Sequence, residues 1–128
     1  MRDFAITVSH KPGELARVTN VLSLAGVNLK SVAAMTVGHQ ALVRMIPDDP
    51  QAARTALNEN DIRFEEHEVL TLLLENRAGE LTGVVGPLGD AGVNLLATYV
   101  VGVADDLLEL AIITDDPKKA RKVLDTLM

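Results

Sequence analysis

The chain contains no cysteine. Disulfide cross-links, thiolate nucleophiles and cysteine-based metal centres are excluded together. There is no tryptophan, one tyrosine (Tyr99) and two phenylalanines (Phe4 and Phe64), too few aromatic faces for a platform on which bases stack. Acidic residues outnumber basic ones, 18 to 12, for a net charge of −6. A surface built for a phosphate backbone carries the opposite signature, so no nucleic acid is expected as a partner. No apolar run reaches the roughly 18–20 residues needed to span a bilayer. The opening MRDFAITVSH has no basic segment followed by an apolar one, so neither a membrane partner nor a secretory signal is expected. The default expectation is a cytoplasmic protein. What remains is 128 residues, 48% of them apolar, enough for one ordinary domain or two small ones.

Glycine is abundant in one place. Residues 77–95, RAGELTGVVGPLGDAGVNL, hold five glycines and a proline in a run that otherwise reads as helix. The run is half of a repeat. Set against residues 11–30, KPGELARVTNVLSLAGVNLK, with a shift of 66, residues 77–96 are identical at ten of twenty positions. Gly13/Gly79, Glu14/Glu80, Val18/Val84, Leu22/Leu88, Gly26/Gly92 and Asn28/Asn94 are among them. The match resumes at Asp49-Pro50 and Asp116-Pro117 with a shift of 67. The chain is a tandem duplication, and a repeat of this kind governs the whole fold.

Each copy predicts the same elements. Phe4, Ile6 and Val8, and in the second copy Leu70, Leu72 and Leu74, alternate as a half-buried strand does. Leu15, Val18, Leu22 and Ala25 fall on one face of a helix that Gly26 ends. Strands over about 27–37 and 40–46 follow as a hairpin. Asp49 then caps a second helix with Pro50 at its first position, and Ala53, Ala56 and Leu57 face inward. A strand over about 61–67 closes the copy. The order βαββαβ predicts an α+β chain: two tandem ferredoxin-like sandwiches, each an antiparallel sheet with both helices on one face. The expected domains are 1–67 and 68–128. Residue 128 corresponds to position 61, so the second copy lacks its closing strand. Its first strand, 69–75, would expose a sheet edge of the kind that is normally covered. A homodimer or higher oligomer is therefore expected. The joint 61–75 has no Gly, Pro or Ser, and predicts a fixed relation between the copies.

Gly83, Gly86 and Gly89, three residues apart, do not form a phosphate loop. A Walker loop needs a lysine and a hydroxyl after its last glycine, and no Lys or Arg occurs from Ala78 to Pro117. The spacing leaves one helix flank bare for another helix, for a ligand, or for neither. Pro87 removes one helix hydrogen bond and is expected to bend or loosen the helix. The turn before each first helix is more telling. Gly13 and Gly79 sit where a strand enters a helix, and unpaired amides there suit a carboxylate. His10 and Asn76 lie beside them. Asn28 and Asn94 follow the far end of the helix. They offer donors and acceptors to a zwitterion, or simply satisfy backbone groups after a glycine cap.

The pattern of apolar strand, x-[RK]-x-G-x-L, helix and A-G-V-N-L, occurring twice, resembles the ACT domain, a small regulatory module that binds amino acids. The resemblance covers both copies and nearly all of the chain, which looks like the stand-alone tandem ACT proteins without a catalytic domain. It implies that a free amino acid binds between paired domains, held by the strand-to-helix turn of one and the start of the second strand, often from the neighbour. Carried over by position, the ligand-binding residues are Asn76, Arg77, Ala78, Gly79, Glu80 and Asn94, with His10, Lys11, Gly13 and Asn28 as the first copy's equivalents. In serine-binding relatives an asparagine stands at the position of Asn76. The first copy departs from this with His10, and Val8 and Leu74 stand where such relatives can carry a histidine.

Catalysis has no obvious seat. Ser9 and His10 are adjacent on a strand, so their side chains diverge. Glu65-Glu66-His67-Glu68 reads either as a metal cluster or as a solvated strand junction. Alternation sends Glu65 and His67 one way and Glu66 and Glu68 the other. Asp105-Asp106 reads as a hairpin tip. The sequence thus points to a non-enzymatic sensor with no cofactor and no metal, binding a small amino acid at a domain or subunit interface. Val32, Met35, Leu96 and Thr98 are candidate pocket walls. The alternative is a ligand-free interaction module serving as detached regulatory subunit of an amino-acid biosynthetic enzyme.

Overall fold

The computed structural model describes residues 1–127. The backbone divides into two units after His67. The first runs β1 (Arg2–Ser9), α1 (Glu14–Leu24), β2 (Leu29–Val37), β3 (Gln40–Pro47), α2 (Pro50–Glu59) and β4 (Glu65–Glu68). Its sheet has the order β2-β3-β1-β4. β3 is antiparallel to both neighbours, with Phe4 opposite Met45, Ile6 opposite Val43 and Val8 opposite Ala41. Those residues share one sheet face, and Val18 and Leu22 of α1 and Ala53, Ala56 and Leu57 of α2 pack into the same core. Both helices therefore lie on one side of the sheet.

The second unit runs β5 (Leu70–Glu75), α3 (Thr82–Asp90), β6 (Leu95–Ala104), β7 (Leu107–Thr114) and α4 (Pro117–Asp125). Its sheet has three strands in the order β5-β7-β6. Leu70, Leu72 and Leu74 stand opposite Ile112, Leu110 and Leu108 and pack with Val84, Leu88, Ala120 and Leu124. The fold is α+β, two ACT-like ferredoxin-type sandwiches in tandem, with the fourth strand absent from the second among the described residues.

Helix ends follow the local chemistry. Asp49 and Asp116 accept the backbone N–H of Ala52 and Lys119 at 3.0 and 3.1 Å, with proline at the first turn. At the other end of α1, Gly26 has φ 74°, the Val27 N–H donates to the Leu22 carbonyl and the Gly26 N–H donates to that of Ser23. Gly92 repeats the pattern after α3, with φ 77°. This left-handed cap satisfies the last carbonyls and buries the residue that follows, Val27 or Val93.

Two expectations are corrected. The closing strand is β4 at Glu65–Glu68, not a strand from 61. Residues 60–62 are taken up in ending α2: the Asn60 side chain donates to the Ala56 carbonyl, Asp61 adopts φ 55°, and the Ile62 N–H donates to the Leu57 carbonyl. Leu15 and Ala25 are exposed, although their spacing put them on the buried face. The buried residues of α1 are Val18 and Leu22, with Val21 packed partly buried against the same core. The flank of α3 is open within this chain: apart from the helix's own backbone, no atom among the described residues lies within 4 Å of where a Cβ on Gly83, Gly86 or Gly89 would stand. The helix nevertheless continues through Pro87.

An ion-paired clasp holds the closing strand. Glu66 of β4 accepts from Arg54 Nε and Nη2 at 2.9 and 2.6 Å and from Arg2 Nε at 3.0 Å. The hydrogen bonds from Arg54, aided by Arg2, hold the Glu66 carboxyl well below the usual range, at about 2. A depressed folded-state pKa stabilises the fold above the unfolded value, and that stability is lost as pH falls through the folded value. Glu66→Gln is therefore expected to lower the unfolding midpoint at pH 7, with the gap from the native chain closing between pH 4.5 and about 2. A gap independent of pH would show that the ionised carboxylate contributes nothing.

Candidate ligand site at the strand-to-helix turns

In the second unit β5 leads through residues 76–81 into α3. The Asn76 N–H donates to the Asp106 carbonyl at 2.7 Å and the Arg77 N–H to the Glu75 carbonyl at 3.0 Å. The Glu80 N–H makes a long bond to the Arg77 carbonyl at 3.4 Å, and the Gly83 N–H donates to the Gly79 carbonyl at 3.0 Å. Gly79 has φ 88°, a left-handed conformation that glycine adopts without strain. Ala78 and Gly79 are exposed, and their amides find no partner among the described residues. Amides left open at a helix start, with the helix dipole behind them, suit an anion.

Two of the expected ligand residues have other work in this turn. Arg77 is held by Glu80 at 2.8 Å and by Glu75 at 2.8 Å, and those carboxylates, Glu80 first, raise its pKa. The pair Arg77–Glu80 braces the turn across one helical turn. In the first unit Glu14 takes the same part, accepting from Arg17 at 3.0 Å with Lys11 at 3.6 Å. The Arg17 hydrogen bond, before other causes, lowers the Glu14 pKa.

Asn94 and Asn28 lie elsewhere. Asn94 follows α3, whose nine residues put roughly 14 Å of helix between it and the turn. Within one unit the two groups do not meet. The Asn94 N–H donates to Asp115 Oδ1 at 3.1 Å, its Nδ2 donates to Asp115 Oδ2 at 3.0 Å, and the Asp115 N–H returns to the Asn94 carbonyl at 3.1 Å. Asn28 and Asp48 form the same backbone bracket. The asparagines tie the start of one hairpin strand to the end of the other, which is the local-backbone alternative left open by the sequence.

The first unit has a recess of about 290 Å³ beside its turn, lined by Val8, His10, Lys11, Leu15, Thr36 and Val43 among others. His10 Nδ1 lies 3.4 Å from Thr36 Oγ1. Met35 also lines this recess, whereas Val32 does not. Exposure of Leu15 follows from this opening, since the first turn of α1 overhangs it. Gly13 adopts φ 89° here, as Gly79 does in the second copy. The second unit has a larger groove, about 660 Å³, along β5; of the expected site residues only Glu80 lines it.

The Glu65–Glu68 cluster does not converge. Glu66 belongs to Arg2 and Arg54, and Glu68 accepts from Arg121 at 2.5 Å. His67 turns the other way, its Nδ1 3.6 Å from Asp3 Oδ1. Asp3 is fully buried and bonded to Arg44 at 2.7 Å. Sequence reading missed this pair because the two residues share a face only once the register of β1 on β3 is fixed. Asp105, with φ 53°, makes the hairpin turn read from the sequence.

No family model and no curated protein matches the chain. Solved structures do. Protein BT0572 from Bacteroides thetaiotaomicron is 26% identical, with a TM-score of 0.85 over 98% of this chain and 86% of its own. The regulatory subunit of aspartate kinase from Thermus thermophilus is 12% identical, with a TM-score of 0.67 over 98% of this chain and 89% of its own. The corresponding subunit from Thermus flavus is 15% identical, with a TM-score of 0.64 over 99% and 92%. The chain thus shares the tandem ACT-like fold over nearly its whole length. No helix among the described residues is long and apolar enough to cross a membrane.

The bracket assigns Asn94 a measurable structural share. Asn94→Ala removes one exposed hydrogen bond to a carboxylate and is expected to lower stability by about 1 kcal/mol in a denaturant titration, with no change in slope. A loss within error would remove the side chain from the bracket.

Proposed function

We propose that the chain is a non-catalytic regulatory sensor that binds a small free amino acid at its strand-to-helix turns. The observation that carries this reading is the pair of open amides at Ala78 and Gly79, exposed at the start of α3 beside Asn76. The ligand's carboxylate sits on those amides and Asn76 takes a further polar group. Arg77 and Glu80 keep the turn in shape through their own ion pair. Because Asn94 lies a helix length away, its part in the site requires a second copy of the chain, so the sensor acts as a homodimer or larger assembly. In the first unit His10, Lys11, Gly13 and Asn28 hold the equivalent places, with His10 directed at Thr36. Ligand that binds one arrangement of the assembly better than another shifts the population toward it, and a regulated partner reads the shift.

A second reading is favoured by the open edge of β5 and by the neighbours that are regulatory subunits of aspartate kinase. In it the chain is a detached regulatory subunit of an amino-acid biosynthetic enzyme and needs no small ligand. A cytoplasmic setting suits both readings.

A thermal-unfolding screen against the twenty amino acids at millimolar concentration separates them. A ligand at about a hundred times its dissociation constant adds roughly 2.7 kcal/mol, which moves the midpoint by several degrees. One clear hit is expected, weakened about tenfold or more by Asn76→Ala with the fold unchanged. No shift with any amino acid would overturn the sensor and leave the interaction module.

A further inference from the structure

The two copies differ in the space beneath the first turn of their first helix. In the first unit Ala34 and Thr36 of β2 stand opposite Val43 and Ala41 of β3. Val43 belongs to the core, so all four lie on the helix-facing side of the sheet. Ala34 and Thr36 are nevertheless exposed. They line the recess of about 290 Å³ that Leu15 overhangs, with Val8 and Val43 as its buried walls. Small-molecule sites begin at roughly 300 Å³, so the recess suits one short side chain and its head group.

The second copy has larger residues in the same place. Val37 pairs with Gln40 at the first hairpin and Ala104 with Leu107 at the second. The one residue added to the second copy therefore lies at the irregularity between Val100 and Gly102, and Thr36 corresponds to Val103. Val8, Ala34, Ala41 and Val43 become Leu74, Val100, Leu108 and Leu110. Each of these four is larger, and the hydroxyl of Thr36 gives way to a methyl of the same shape. The divergence runs in one direction: room and a polar group in the first copy, apolar bulk in the second.

Polar groups line the recess as well. His10 Nδ1 lies 3.4 Å from Thr36 Oγ1, and both residues are exposed. Imidazole and hydroxyl together offer a donor and an acceptor. Lys11 is exposed, and its ammonium is 3.6 Å from Glu14, whose carboxylate already accepts from Arg17 at 3.0 Å. A pair that long and that exposed is weak, so the ammonium turns to a second anion at little cost. In the second copy the corresponding guanidinium of Arg77 is held by two carboxylates, each at 2.8 Å.

We infer that the recess of the first unit takes a short aliphatic side chain carried on a free α-carboxylate, as an amino acid or as the corresponding 2-oxo acid. The side chain lies on Ala34 and Ala41, among Val8, Leu15 and Val43. Lys11 draws the carboxylate in a charge-assisted contact. His10 and Thr36 hydrogen-bond the α-substituent, whether ammonium or keto oxygen. A hydroxymethyl side chain leaves the apolar walls unfilled, so serine is rejected. The inference deepens the sensor reading by naming a ligand class for one of its two turns, and it rests on that reading in taking a small free molecule as the signal.

The test is calorimetric titration of the full chain with L-leucine, L-valine, L-serine and the 2-oxo acid of leucine. An aliphatic probe is expected to bind about tenfold or more tightly than serine. Ala41→Leu, which installs the second copy's wall, is expected to abolish that binding. The isosteric Thr36→Val is expected to weaken it roughly fivefold. Both variants are expected to keep the native circular dichroism and unfolding midpoint. Thr36 is exposed and valine stands at its counterpart, so the second variant decides the matter if Ala41→Leu fails to fold. Binding of the 2-oxo acid with no amino acid bound keeps the recess and overturns the amino-acid sensor. An amino acid whose binding falls with Asn76→Ala and is indifferent to Ala41→Leu and Thr36→Val keeps the sensor and overturns this inference. Serine binding as tightly as leucine also overturns it, as does no binding of any aliphatic probe at millimolar concentration.

Discussion

Every strand in a sheet has two rows of backbone donors and acceptors to satisfy, and the rest of this molecule follows from where that requirement is met. In the first unit β1 lies between β3 and β4. β4 is only four residues long, yet the Glu66 clasp and the contact of Phe64 with Phe4 fasten it. In the second unit β5 has β7 on one side and no strand on the other among the described residues. Leaving such an edge bare invites association. The two copies, alike in helices, caps and hairpins, thus differ at the outer side of their first strand.

The same divergence runs through the turns. Both carry a left-handed glycine and a glutamate paired with a nearby base. The first copy adds His10 and a small recess; the second keeps Asn76 and open amides. Duplicated folds can separate duties in this way, since function resides in particular sites and not in the architecture that carries them.

Much of this was legible in the sequence. The 66-residue shift exposed the repeat, and period-2 alternation at Phe4, Ile6 and Val8 fixed the strand and its inward face. Asp49-Pro50 and Gly26 marked helix ends by chemistry that acts within a few residues. Errors arose where distant contacts decide. The start of β4 moved because Asp61 and Ile62 complete a helix cap that has no glycine to announce it. Leu15 stayed exposed because helical spacing reports a face and not how far the sheet extends beneath it. The Asn94–Asp115 bracket and the Asp3–Arg44 pair join residues about 20 and 40 positions apart, which no local pattern reveals. The turn residues were named by resemblance and spacing, while the ion pair that occupies Arg77 was not foreseen.

Hydrogen exchange on the dilute free chain tests the account most directly. β1 lies between β3 and β4, and its amides opposite the four residues of β4 are expected to exchange only through opening of the whole unit. In β5 every second amide points away from β7, and those are expected to exchange almost as fast as in an unfolded peptide. Such an alternating pattern would confirm that the outer edge of β5 is unpaired in the free chain. Uniform protection along β5, equal to that of β1, would contradict it and mean that the strand is already paired in the protein as it stands.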